Sequence, residues 1–172
     1  GTGKTRFAKH LADRLDMDLM SVTAADLLSE FVGRTEKSIA AVFHQAQAQD
    51  AVLLLDEVDS ILSDRTAAIR SWERTQVNQL LTELESYQGI VIACTNLTAI
   101  LDRAVLRRFD AKVEFKPLDP SGATTLFRRY FPDAELTSRS IDALTSIREL
   151  TPGDFVTAFR RIRFSQPDAH AD

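Results

Sequence analysis

At 172 residues, with 44% hydrophobic and 27% charged side chains, the chain is long enough for one cored domain plus a small satellite and has an ordinary globular balance. A formal net charge of -4 gives no global basic balance that would make nucleic acid the main partner. The longest apolar runs, at 51–55 and 90–94, fall far short of the roughly 20 residues that span a bilayer, and no signal peptide or membrane anchor is read in the sequence.

In chain order, GTGKT at residues 1–5 has the spacing of the second half of a phosphate-binding loop, G-x-x-x-x-G-K-[ST], whose first glycine would precede Gly1 by three positions. A glycine-rich turn feeding a helix aims backbone N–H groups and the positive helix end at phosphate oxygens. Taken alone, the stretch reads equally well as a flexible run of small residues. A strand is expected around Leu19 to Val22. Thr23 and Asp26 then have capping-box spacing ahead of Leu27 and Leu28, which predicts a short helix. Ile39, Val42, Phe43 and Ala46 recur at i, i+3, i+4 and i+7, predicting a helix over 35–49.

The run AVLLL, followed by Asp56, Glu57 and Asp59, reads as a strand buried on both faces that delivers carboxylates to its C-terminal edge, where α/β ligands bind. Asp56 can hold magnesium through water, and Glu57 can orient or deprotonate an attacking water. In isolation a solvated acidic turn is the better reading, which reverses once GTGKT is taken with it, and Asp59 reads as a helix cap or a charged turn. Residues 63–71 are expected to form a second loop on the same side, read as a solvated connection with substrate contact by Arg65 and Arg70 as the alternative, and Trp72 is expected to pack at the start of the next helix. Val77, Leu80, Leu81 and Leu84 place that helix at 74–86.

VIACTN at 91–96 reads as another buried strand ending in polar residues, with Cys94 a small buried hydrophobe and Asn96 either a turn former or a partner for a phosphate or water. A lone apolar cysteine points to a reducing, cytoplasmic setting. In LDRAVLRRFD at 101–110, Arg107 and Arg108 suit charge on a transferring phosphoryl group, or simply a solvated surface. A strand around Lys112 to Phe115 is expected to close the series. After Pro117 the pattern is helical only, at about 121–130, 138–149 and 152–164, the last opened by Thr151, Pro152, Gly153 and Asp154 as a capped helix start. Strands alternating with helices argue for a parallel α/β sheet with a small helical appendage.

The ordered series GTGKT, VLLLDEVDS, ACTN and LDRAVLRRFD resembles the AAA+ ATPase superfamily, and most closely its classical AAA group of unfoldases, membrane-protein proteases and severing enzymes. The resemblance covers essentially the whole chain. It implies a P-loop NTPase fold, a three-layer α/β/α parallel sheet at 1–116 whose first strand lies upstream of Gly1, followed by an all-helical lid at 117–172. It further implies that a chain without that strand binds ATP weakly. ATP and Mg2+ are the implied cofactors.

By the same resemblance, Gly1, Thr2, Gly3, Lys4, Thr5, Arg6 and the lid residue Gly153 contact nucleotide, and Thr5 and Asp56 serve the metal. Glu57 matches the Walker B base, Asn96 the sensor 1 residue, and Arg107 and Arg108 the arginine fingers donated to a neighbouring subunit. The chain departs from the L-R-P-G-R-F-D form of many members by its adjacent arginines, and from the usual Gly-Ala of the lid by Asp154, which reads as a cap pointing back at its own helix. Phe31, Val32 and Gly33 resemble a substrate-gripping pore loop; the alternative places Phe31 in the core. The implied assembly is a self-associated, hexameric ring acting on a threaded protein. A nucleic-acid loader and a nucleotide-gated scaffold without turnover are the alternatives.

Overall fold

The computed structural model describes residues 1–27, 34–62, 71–97 and 103–165. The expected pore residues Phe31, Val32 and Gly33, and the connection over 63–70 with Arg65 and Arg70, lie outside the described residues, as does the side chain of Trp72. The chain forms two compact units, one of Thr5–Lys112 and one of Gly1–Lys4 with Val113–Asp172.

The first unit carries, in order, α1 (Lys4–Leu15), β1 (Leu19–Thr23), α2 (Ala24–Leu27), α3 (Arg34–Ala48), β2 (Val52–Asp56), α4 (Asp59–Leu62), α5 (Ser71–Ser86), β3 (Val91–Ala93) and α6 (Arg103–Leu106). Its three strands pair in parallel in the order β1-β2-β3. Leu19 lies opposite Val52 and Thr23 opposite Asp56, while Leu53 lies opposite Val91 and Leu55 opposite Ala93. The C-terminal ends of the strands therefore share one edge of the sheet, and the chain leaves each strand there.

The continuous apolar run of β2 makes it the central strand: Val52, Leu53 and Leu54 are fully buried. Strand alternation divides its side chains between two layers. Leu53 and Leu55 pack with Ile39, Phe43 and Ala46 of α3 and Val77, Leu80 and Leu81 of α5. Leu54 points the other way, packing with Ala8 of α1 and with Cys94. Helices thus cover both sheet faces. Each fully buried leucine contributes roughly 1.5–3 kcal/mol relative to exposure, which makes this alternation the main determinant of the layering. Tyr87 closes the larger layer with an edge-to-face contact to Phe43 at 5.2 Å.

Local signals act where the spacing placed them. Thr23 donates its N–H and its hydroxyl to Asp26 Oδ2, at 2.9 and 2.6 Å, and Asp26 N–H returns a 3.3 Å bond to Thr23 Oγ1, starting α2. The expected strand at 112–115 is corrected: these residues have no strand geometry, and Val113 is 67% exposed. Its β-forming side chains have no neighbouring ladder among the described strands, and an extended segment without one gains neither hydrogen bonds nor burial.

The second unit carries α7 (Pro120–Tyr130), α8 (Ser138–Ser146) and α9 (Pro152–Ser165). Asp119 caps α7 by accepting from Gly122 N–H at 2.7 Å, and Thr137 caps α8 by accepting from Ser140 N–H at 3.2 Å. The predicted extension of α8 to 149 fails at Ile147, which turns to extended backbone and bonds back to Leu144. The unit's core is Ala123, Leu150 and Phe155, with Tyr130 and Phe131 against it. Among the described residues no helix is long and apolar enough to cross a membrane.

Candidate active site

Gly3 precedes α1 with a φ of +99°, a conformation that side-chain-bearing residues rarely adopt, so glycine is needed for the turn into the helix. Lys4 is the first helical residue and Thr5 the second. Thr5 donates its hydroxyl to Asp56 Oδ2 at 2.8 Å, which fastens the start of α1 to the end of β2. The small side chain of Ala8, fully buried one turn further on, lets α1 lie close to Leu54 beneath that contact. The other oxygen of Asp56, Oδ1, accepts the N–H of Glu57 at 2.9 Å.

Glu57 itself has a φ of 55°, in the left-handed region. For a residue other than glycine this costs roughly 1–2 kcal/mol and persists only where the surroundings impose it. Here the flanking bonds do so: Asp56 Oδ1 holds Glu57 N–H, and Cys94 carbonyl holds Val58 N–H at 3.1 Å. The result is a kink directly after β2 that leaves Glu57 exposed while Val58 turns into the core. Nothing in the local sequence announces this backbone state.

Beyond β3, Asn96 is exposed, and the preceding Thr95 donates its hydroxyl to Asp59 Oδ1 at 2.9 Å. Asn96 N–H also reaches that oxygen, at 3.4 Å. Asp59 is therefore engaged across the edge to the next strand's loop, a role that the reading as a cap or charged turn missed. Arg108 donates Nε–H to Glu85 at 2.7 Å and forms an ion pair with it through its second guanidinium nitrogen. Arg107 is exposed and has no ion pair among the described residues. Arg6 is exposed on α1.

In the other unit, Gly153 N–H donates to the Gly1 carbonyl at 3.1 Å. A Cβ on Gly153 would lie 2.3 Å from Gly1 N, so glycine is required by this close backbone approach. Thr2 Oγ1 is buried without a hydrogen-bond partner among the described residues. Asp154 accepts both the N–H and the hydroxyl of Thr151, at 2.8 and 2.7 Å, and these bonds hold its carboxyl below the ordinary 3.8. Asp154 is thus committed to its own helix start, as its spacing predicts.

Residues 1–117 match the family described as "ATPase family associated with various cellular activities (AAA)". The chain belongs to the AAA family. Its relatives include an "AAA ATPase forming ring-shaped complexes" from Corynebacterium efficiens, 34% identical over 179 aligned positions that take in 91% of this chain and 34% of that protein. The "ATP-dependent zinc metalloprotease FtsH" of Clostridium perfringens is 32% identical, with 89% of this chain and 22% of that protein covered. Spastin of Drosophila grimshawi is 30% identical, with 97% of this chain and 23% of that protein covered. The chain thus spans about a third or less of the length of these curated relatives.

The AAA assignment makes the parallel sheet and its helices a P-loop NTPase fold of the classical AAA group. The donor set at its edge fits magnesium. One hydroxyl and one carboxylate, 2.8 Å apart, are hard oxygens of the kind that bind Mg2+ together with waters and substrate phosphates. Among the described residues no group of three His, Cys, Asp or Glu side chains could form an all-protein metal cage.

Proposed function

We propose that this chain is the ATP-binding, Mg-dependent ATP-hydrolysing module of a ring-forming motor that remodels or unfolds proteins. The carrying observation is the Thr5 to Asp56 contact, which sets a phosphate-loop hydroxyl and a strand-end carboxylate side by side, next to an exposed Glu57 held in a strained turn. In this reading residues 1–116 form the nucleotide-binding subdomain and 117–172 the lid.

Gly1, Thr2, Gly3 and Lys4 cradle the phosphates, Arg6 lies beside them, and Gly153 approaches from the lid. Thr5 and Asp56 hold Mg2+, which when bound neutralises charge on the phosphate oxygens. Glu57 polarises the attacking water, and Asn96 orients it or the terminal phosphate. Arg107 and Arg108 are the candidates for a finger supplied to the adjacent subunit. The relative named for ring-shaped complexes supports self-assembly, with a hexamer as the finer reading. Phe31, Val32 and Gly33 grip the threaded protein. The buried Cys94 thiol suits a reducing, cytoplasmic compartment.

The test is Glu57→Gln in the full-length protein. It should bind nucleotide as well as the parent while turnover falls by roughly 10²–10⁴, the usual worth of a general base. Undiminished hydrolysis would overturn the assignment.

A further inference from the structure

The segments after β2 and β3 are laced together by three bonds, the longest of them from Asn96 N–H to Asp59 Oδ1 at 3.4 Å. Val58 N–H bonds the Cys94 carbonyl at 3.1 Å, and two residues on from Glu57 the Asp59 carboxylate takes the Thr95 hydroxyl at 2.9 Å. Thr95 Oγ1 in turn accepts the N–H of Leu97 at 2.9 Å, so this one hydroxyl shapes the loop that carries Asn96 and ties it to the segment that carries Glu57. Asp59 and Thr95 are both half-buried, whereas Glu57 and Asn96 are exposed. The pair therefore sits behind the groups proposed to handle water. A charge-assisted bond of this kind is short, directional and partly shielded from solvent, which suits it to fixing a distance.

We propose that Asp59 is a positioning residue for ATP hydrolysis: through the Thr95 hydroxyl it sets the separation between Glu57 and Asn96. The proposal rests on the ATPase reading above. It needs no contact between Asp59 and nucleotide. Misplacing a reacting geometry by about 1 Å can cost up to roughly a hundredfold in rate, so losing this tie should act on turnover more than on binding.

The experiment uses the full-length, assembled protein with Asp59→Ala, Thr95→Val, their combination, Thr95→Ser and Glu57→Gln. Steady-state hydrolysis gives kcat and KM, and a fluorescent ADP analogue gives nucleotide affinity. Asp59→Ala and Thr95→Val should each lower kcat about ten- to a hundredfold, with ADP affinity kept within about twofold. The combined loss should fall well short of the product of the two single losses, because both variants remove the Thr95–Asp59 bond, while Asp59→Ala alone also releases Asn96 N–H and Thr95→Val alone also releases Leu97 N–H. Thr95→Ser keeps the hydroxyl and should keep the rate.

Multiplicative losses in the combination, or losses confined to nucleotide affinity, overturn the proposal. Thr95→Val nearly preserves shape, so it decides the question if Asp59→Ala does not fold. Glu57→Gln separates the two levels of inference. A dead Glu57→Gln enzyme alongside normal turnover in the Asp59 and Thr95 variants defeats only the positioning role, whereas an active Glu57→Gln enzyme defeats the ATPase reading beneath it.

Discussion

Replacing Gly153 by alanine sets two local effects against each other. Alanine is the better helix former, and in α9 it would recover up to about 1 kcal/mol relative to glycine, less in the first turn. Its Cβ, however, would meet the Gly1 backbone at 2.3, 3.1 and 3.3 Å from N, O and Cα. Ordinary carbon contacts begin near 3.4 Å, so Gly1 would have to withdraw by about 1 Å. Backbone cannot swing aside as a long side chain can. The withdrawal would break the Gly153 N–H bond to the Gly1 carbonyl, worth about 1 kcal/mol.

The two terms nearly cancel in stability but not in function. In the full-length protein, the melting temperature of Gly153→Ala should stay within about 3 °C of the parent. ATP affinity, measured by calorimetry, should weaken about fivefold as Gly1, within the proposed phosphate loop, is displaced. Unchanged affinity together with a raised melting temperature would show that the Cβ is accommodated freely and would refute the reasoning.

Neighbouring residues carry further expected outcomes. Because the Thr151 bonds hold the Asp154 carboxyl below 3.8, its contribution to stability is fully present above that value and is lost as pH falls through it toward the lowered folded value. The gap in melting temperature between the parent and Asp154→Ala should therefore be constant from pH 7 down to about pH 5 and shrink below the ordinary 3.8, as monitored by circular dichroism. Arg107→Ala should abolish ring-dependent ATP turnover with nucleotide affinity intact. Arg108→Ala removes a partly exposed ion pair with Glu85, so its cost in thermal stability should stay below about 1 kcal/mol, and a larger loss would show that the pair is structural.

Interactions between near neighbours along the chain were legible in the sequence. The apolar run of β2, the i, i+3, i+4 stripe of α3 and the three-residue spacing of Thr23 to Asp26 and Thr151 to Asp154 are each patterns contained in a short stretch of chain. The segment at 112–115 was misread because a strand is completed by its partner, and Val113 carries the propensity without the ladder. Of the ties around the site, the family resemblance brought Thr5 and Asp56 to one metal, but no spacing along the chain shows this tie or the others. Thr5 meets Asp56 51 positions away, Thr95 meets Asp59 36 away and Arg108 meets Glu85 23 away, distances over which no pattern in a single sequence specifies contact. Nor does the left-handed turn at Glu57 leave a trace, since glutamate is not a residue that favours it.

The depth at which α1 sits has a consequence of its own. Thr5 and Ala8 lie on the same helix, so the distance from Thr5 to Asp56 is set by how closely Ala8 seats on Leu54 and Cys94. A single added methyl group there would lift the front of the helix like a shim under a hinge. On the proposed function, metal affinity would thereby be adjustable from behind, by side-chain volume alone, with Thr5 and Asp56 themselves unchanged.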